Sequence, residues 1–162
     1  MGREVRRVPQ NWEHPKDADG SYKPLFKEAY AKACQDWKEG FLLWENKQDP
    51  YADKEDYAKY EYWDYAGMPP EEKYYSPDWK QEERTHYQMY ETTSEGTPIS
   101  PVKETPEQLA KWLTDHGASS FADRTATYDQ WLSMIGKGLT FSAVLISGKG
   151  LISGVEASER IK

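Results

Sequence analysis

Apolar residues recur at helical spacing early in the chain and then lose their period. Between Pro24 and Asn46 they fall at Phe26, Tyr30, Ala33, Trp37, Phe41 and Trp44, steps of three and four that make the stripe of an amphipathic helix. Pro24 suits its first turn. Gly40 is the weak point, since glycine costs about 1 kcal/mol against alanine in a helix interior. Residues 47–77 show no period and are broken by Pro50, Gly67, Pro69, Pro70 and Pro77. An extended, irregular segment is expected there, with one helical turn around 54–60. Ser76-Pro77 then reads as a cap followed by proline at the first helical position. Trp79, Glu83, His86 or Tyr87, and Tyr90 continue at helical spacing, which predicts a helix over 77–91.

Two later helices announce themselves through their caps. Thr105-Pro106-Glu107-Gln108 opens a predicted helix over 106–116, with Leu109, Trp112 and Leu113 inward and Gly117 ending it. Thr127-Tyr128-Asp129-Gln130 opens another over 127–136, with Tyr128, Trp131, Leu132 and Ile135 inward and Gly136 and Gly138 stopping it. Thr140–Ser147 and Leu151–Val155 are apolar and partly β-branched, so a C-terminal hairpin turning at Gly148-Lys149-Gly150 is expected. Arg3–Val8 can add a third strand to it. The pattern gives one α+β domain over 1–162, with about four helices and a small antiparallel sheet.

Charge changes this picture in one region. Between Glu45 and Glu95 the chain holds eleven Tyr and Trp residues, fourteen carboxylates and six Lys or Arg. The formal charge of −7 belongs to that region, because the rest of the chain is nearly balanced. Mean hydropathy is −0.99, so much of the available apolar area sits in rings that keep one polar atom wet. Acids at this density repel phosphates and anionic lipid, so direct nucleic-acid binding and membrane binding are not expected. The opening residues carry no apolar signal core and no stretch approaches a bilayer span; a cytoplasmic protein is expected. The single Cys34 fits a reducing compartment and reads as a structural thiol on the first helix.

Catalytic patterns are missing where they would be legible. Ser147-Gly148-Lys149-Gly150 lacks the upstream glycine, the hydroxyl residue and the following helix of a phosphate loop. His14, His86 and His116 stand apart, outside any metal-ligand spacing. No Gly-x-Ser-x-Gly elbow is present. Neither a catalytic centre, a metal nor a cofactor is expected. Arg3, Arg6 and Arg7 form the one basic cluster, readable as a small nucleic-acid contact or as internal partners of the acidic middle. The tract over 50–90 reads in three ways: rings stapling an irregular segment to the body, a protein-binding surface, or a nucleic-acid mimic. Candidate contacts are Tyr62, Trp63, Tyr65, Tyr74, Tyr75 and Trp79, with Asp64 and Glu72 supplying polarity. Arg84 and Arg124 could meet a phosphate if the protein instead binds a nucleotide-type small molecule.

Gly2-Arg-Glu-Val-Arg-Arg-Val-Pro9, Asn11-Trp-Glu-His-Pro15, Thr93-Ser-Glu-Gly-Thr-Pro-Ile-Ser-Pro101 and Gly117-Ala-Ser-Ser-Phe-Ala-Asp123 together carry a resemblance. With them the chain resembles small acidic proteins encoded by tailed bacteriophages and prophages. The resemblance covers both ends and thins in the aromatic middle. It implies an origin and not an activity, and it brings no catalytic residues with it. By analogy with small accessory phage proteins, which often bind and inhibit a host enzyme or a defence system, the chain is expected to bind and modulate a host or phage protein inside the host cell.

Overall fold

A computed structural model describes residues 2–92, 96–140, 143–146 and 150–158. In chain order the elements are β1 (Arg3–Val8), α1 (Tyr30–Glu45), α2 (Asp56–Lys59), α3 (Tyr62–Ala66), β2 (His86–Glu91), β3 (Thr97–Pro98), α4 (Pro106–Asp115), α5 (Tyr128–Lys137), β4 (Leu139–Thr140), β5 (Ala143–Ile146), β6 (Gly150–Ser153) and α6 (Gly154–Ser158). Mixed helix and antiparallel sheet is what the pattern leads one to expect. They fall into two compact units, one formed by Met1–Leu25 with Trp79–Lys162 and the other by Phe26–Asp78.

The first unit is built on a sheet ordered β3-β2-β1-β4. β1 lies antiparallel to β2 along its whole length, from Arg3 opposite Glu91 to Val8 opposite His86, and β4 meets its other edge at Arg3 and Glu4. The N-terminal strand therefore joins a sheet, but its long partner is the segment expected to be helical. The helix over 77–91 gives way to a short 3₁₀ turn at Gln81–Glu83 and strand β2. The helical stripe had included Glu83, a poor core residue. His86–Glu91 instead offers Gln88, Met89 and Tyr90 in succession, all buried, which suits a strand covered on both faces. Six residues of β1 backbone satisfied at once outweigh a weak local helical preference.

α4 and α5 supply most of the core. Leu109, Ala110 and Leu113 of α4 meet Trp131, Met134 and Ile135 of α5, with Met89 of β2 and Val155 of α6. Thr105 caps α4 by accepting from the Gln108 amide at 3.2 Å. Gln108 itself reaches the Glu104 N–H, one residue before the cap. At α5 the box closes as expected, with Thr127 N–H donating to Gln130 and the Gln130 N–H donating to Thr127. Gly136 stays inside that helix, and Gly138, at φ +85°, ends it. β5 and β6 pair antiparallel as a separate two-stranded sheet, from Ala143 opposite Ser153 to Ile146 opposite Gly150. Ser147, Gly148 and Lys149, where the turn was expected, lie outside the described residues. The strand expected to reach Val155 stops at Ser153, because Ser153 and Glu156 cap α6: Ser153 N–H donates to Glu156 and Glu156 N–H donates to Ser153.

The second unit is an aromatic cluster around α1. The helix begins at Tyr30 rather than Pro24, since Phe26 is extended: its N–H donates to the Tyr74 carbonyl and its own carbonyl accepts from Ser76. Trp37, Phe41 and Trp44 face Tyr62, with ring centroids 5.1, 5.7 and 5.9 Å away. Tyr57 and Tyr65 close on Trp44 at 4.7 and 4.6 Å. Gly40 is required here for closeness: a Cβ at that position would lie 2.1 Å from the Tyr62 hydroxyl. Residues 47–77, expected as irregular with one turn, form that turn as α2 and a second one as α3.

Candidate functional site

The expected contact residues divide between the two units and between inside and outside. Tyr62 is 6% exposed, and its phenol pKa is raised by burial and by Asp49. Tyr65, one helical turn on, is half-buried against the same cluster. Tyr75 is half-buried between Phe26 and Tyr30, at 5.3 and 5.6 Å. These three rings build the second unit. Trp63, Asp64, Glu72 and Tyr74 do face outward, Trp63 and Tyr74 with nearly half their area in water. Trp79 belongs to the other unit, where its ring meets Trp12 edge-on at 4.6 Å. Arg84 donates through Nε to the Trp79 carbonyl at 2.9 Å. Arg124 lies exposed, 3.9 Å from Glu156.

Along with Trp63 and Tyr74, the second unit holds a share of the exposed apolar side chains larger than its share of the chain. Among the described residues, eleven large hydrophobic side chains are exposed, and eight of them are here: Phe26, Leu42, Leu43, Tyr51, Tyr60, Trp63, Met68 and Tyr74. Such side chains are unremarkable singly, but concentration in one 53-residue unit is a property to explain. The same unit carries thirteen carboxylates against seven lysines. Several lysines are already engaged locally: Lys32 with Glu28 and Asp36, Lys73 with Glu71, and Lys59 and Lys73 over the rings of Tyr60 and Tyr74. The field around the exposed rings is accordingly negative.

Two of the three arginines in the basic cluster are buried and the third, Arg7, is exposed. Arg3 is 1% exposed; it donates through Nε to the Ser119 carbonyl at 2.8 Å and lies 3.7 Å from Glu91. Arg6 is also buried, bonded to Glu4 and the Leu25 carbonyl at 2.8 Å each, with its guanidinium over the Tyr90 ring. Arg7 donates to the Arg84 carbonyl and covers Tyr87. Arg3 and Arg6 thus offer no nucleic-acid contact, and among the described residues Glu91 is the member of the acidic tract that Arg3 meets.

A second constellation, invisible to spacing, surrounds His14. Its Nε2 is 2.6 Å from the Lys23 carbonyl, which fixes a proton there, and its Nδ1 is 3.3 Å from the Tyr90 hydroxyl. That hydroxyl accepts from Trp12 Nε1 at 3.1 Å and is 2.8 Å from Gln88 Oε1. Gln88 in turn donates to the Ser100 carbonyl. Burial pushes the Tyr90 pKa up to about 12. Burial lowers the pKa of His14, a carbonyl bond from Lys23 opposing and Arg6 adding to the fall. Between that lowered value and the ordinary 6.5 the unfolded chain holds a proton that native His14 refuses. Stability should therefore fall as pH drops below 6.5 and this contribution should level off below the native pKa. Urea unfolding at pH 7.5, 6.5, 5.5 and 4.5 checks it: His14→Phe should flatten the wild-type slope across that window.

Among the described residues no group of three His, Cys, Asp or Glu is placed to hold a metal ion. No helix among them is long and apolar enough to cross a membrane. Comparison with known proteins found no matching family model, no matching curated protein and no matching solved structure.

Proposed function

We propose that this chain is a non-catalytic accessory protein of the tailed-phage kind, acting in the host cytoplasm by binding a host or phage protein through its Phe26–Asp78 unit. The observation that carries the reading is the coincidence in that unit of exposed rings and aliphatics with an excess of carboxylates. Tyr and Trp dominate the energetics of protein interfaces, and carboxylates around them favour a partner with Lys or Arg at the rim. The docking residues are Trp63 and Tyr74, flanked by Asp64 and Glu72, with Leu42, Leu43 and Met68 as further apolar surface; Tyr62, Tyr65 and Tyr75 support them from inside. The resemblance at the two ends of the chain supports the phage origin.

Quantitative pull-down from host lysate tests this. Trp63→Ser/Tyr74→Ser removes two half-exposed rings and leaves the cluster around Tyr62 intact, so folding should be preserved. A specific partner should be captured by wild type, weakened about 30-fold or more by the double change, and released by raised salt. Equal retention of the same proteins by both forms would refute the docking surface.

A further inference from the structure

We infer that the first unit carries a separate small-molecule site, the cleft bordered by Trp12, Glu13, His14, Lys16, Tyr22 and Gln88, and that its ligand is a mononucleotide. The inference stands apart from the docking surface, since every residue lining the cleft lies in the other unit. Its volume is about 600 Å³, inside the roughly 300–1,000 Å³ typical of sites for small organic ligands.

The walls are flat and fixed. Trp12 and Tyr22 stand at 82° and 84° to the His14 imidazole, with centroids 5.9 and 5.6 Å from it. Trp12 is backed by Trp79 and tethered through Nε1 to Tyr90, so its indole is held in place before any ligand arrives. Tyr22 keeps 42% of its area exposed. Held rings of this kind are what a nucleobase stacks on, at about 1–3 kcal/mol per base.

Polar groups sit at two depths. Gln88 is 5% exposed, and its amide is oriented by Tyr90 on one side and the Ser100 carbonyl on the other. One amide hydrogen remains without a partner among the described residues, available to an acceptor on a base edge. At the mouth, Lys16 carries no ion pair among the described residues; its ammonium rests 4.8 Å from the Tyr22 ring centroid. It can leave that ring for a phosphate without breaking a salt bridge. Glu13 supplies an acceptor for an exocyclic amino group. Electrostatics agree with the location: this unit holds fourteen basic against fifteen acidic residues, so a phosphate meets little of the repulsion expected at the second unit.

Calorimetric titration of the full chain with 5′-GMP, 5′-AMP, guanosine, adenosine and inorganic phosphate decides the matter. At least one of the two nucleotides should bind saturably and raise the melting temperature. The nucleoside of the nucleotide that binds should bind about tenfold more weakly than it does, and phosphate alone should not bind. Lys16→Glu, at an exposed position, should weaken the nucleotide about tenfold or more, whereas Trp63→Ser/Tyr74→Ser should bind it as wild type does. Absence of saturable binding by both nucleotides at millimolar concentration overturns the proposal. So does undiminished affinity in Lys16→Glu, or phosphate binding as well as the nucleotide. None of these results bears on the docking surface, whose test uses other residues and another ligand.

Discussion

Trp131→Ala should destabilise the protein by about 3–5 kcal/mol, the range for removing a large aromatic from a closed core. Trp131 is fully buried in α5, enclosed by Leu109 and Leu113 of α4, Met89 of β2 and Val155 of α6. Those neighbours belong to three different elements, so no single one can move in to fill the void. Domains of this size have only about 5–15 kcal/mol to lose, and the variant should melt far below wild type. Trp131→Phe sharpens the test. The indole Nε1 is buried and has no hydrogen-bond partner among the described residues, and an unsatisfied donor costs about 1–3 kcal/mol. Phenylalanine loses volume and removes that donor together, so its cost should be less than half that of alanine. Urea unfolding followed by circular dichroism measures both. If phenylalanine proves as damaging as alanine, the indole N–H has an acceptor after all.

Arg3→Met should cost about 2–3 kcal/mol although it replaces a charge by an apolar chain of similar length. Arg3 is buried where β1 meets β2 and β4, and burial lowers its pKa while Glu91 works against the fall. Removing it strips donors from the Ser119 carbonyl and hydroxyl and leaves Glu91, four-fifths buried, without this counter-charge. Breaking one side of a buried pair is expensive because the other side stays behind. Arg3→Met with Glu91→Gln should recover part of the loss, and a double-mutant cycle in urea reads the coupling directly. Strict additivity of the two changes would mean that the 3.7 Å pair contributes nothing.

What could be read from the chain alone was whatever is encoded locally. α4 and α5 appear within a residue or two of their expected bounds because Thr105, Pro106, Thr127 and Gln130 act on neighbours three residues away. β2 was hidden because its stability comes from β1, eighty residues earlier, while its own residues allow a helical reading. α6 carried a legible signal, Ser153-Gly-Val-Glu156, masked by the apolar run before it. The division of the rings also had a trace in the sequence. Tyr62 and Tyr65 are three apart and share the face that α3 turns to Trp44, whereas Trp63 and Asp64 fall on the other side. Which face turns inward depends on α1, and spacing within five residues cannot tell. The His14 network had no local signature at all, since its partners lie at Lys23, Gln88 and Tyr90 and only the fold assembles them.

The junctions at Leu25 and Trp79 have one more implication. An arginine grips the carbonyl at each splice, Arg6 at Leu25 and Arg84 at Trp79, both from the scaffold side. Just within the splices, Phe26 zips to Tyr74 and Ser76. The fifty-odd residues between form a closed cassette whose ends meet by themselves, and closing a loop grows only slowly more costly with its length. Closure of the cassette is thus made by backbone bonds that lie within it, from Phe26 to Tyr74 and Ser76.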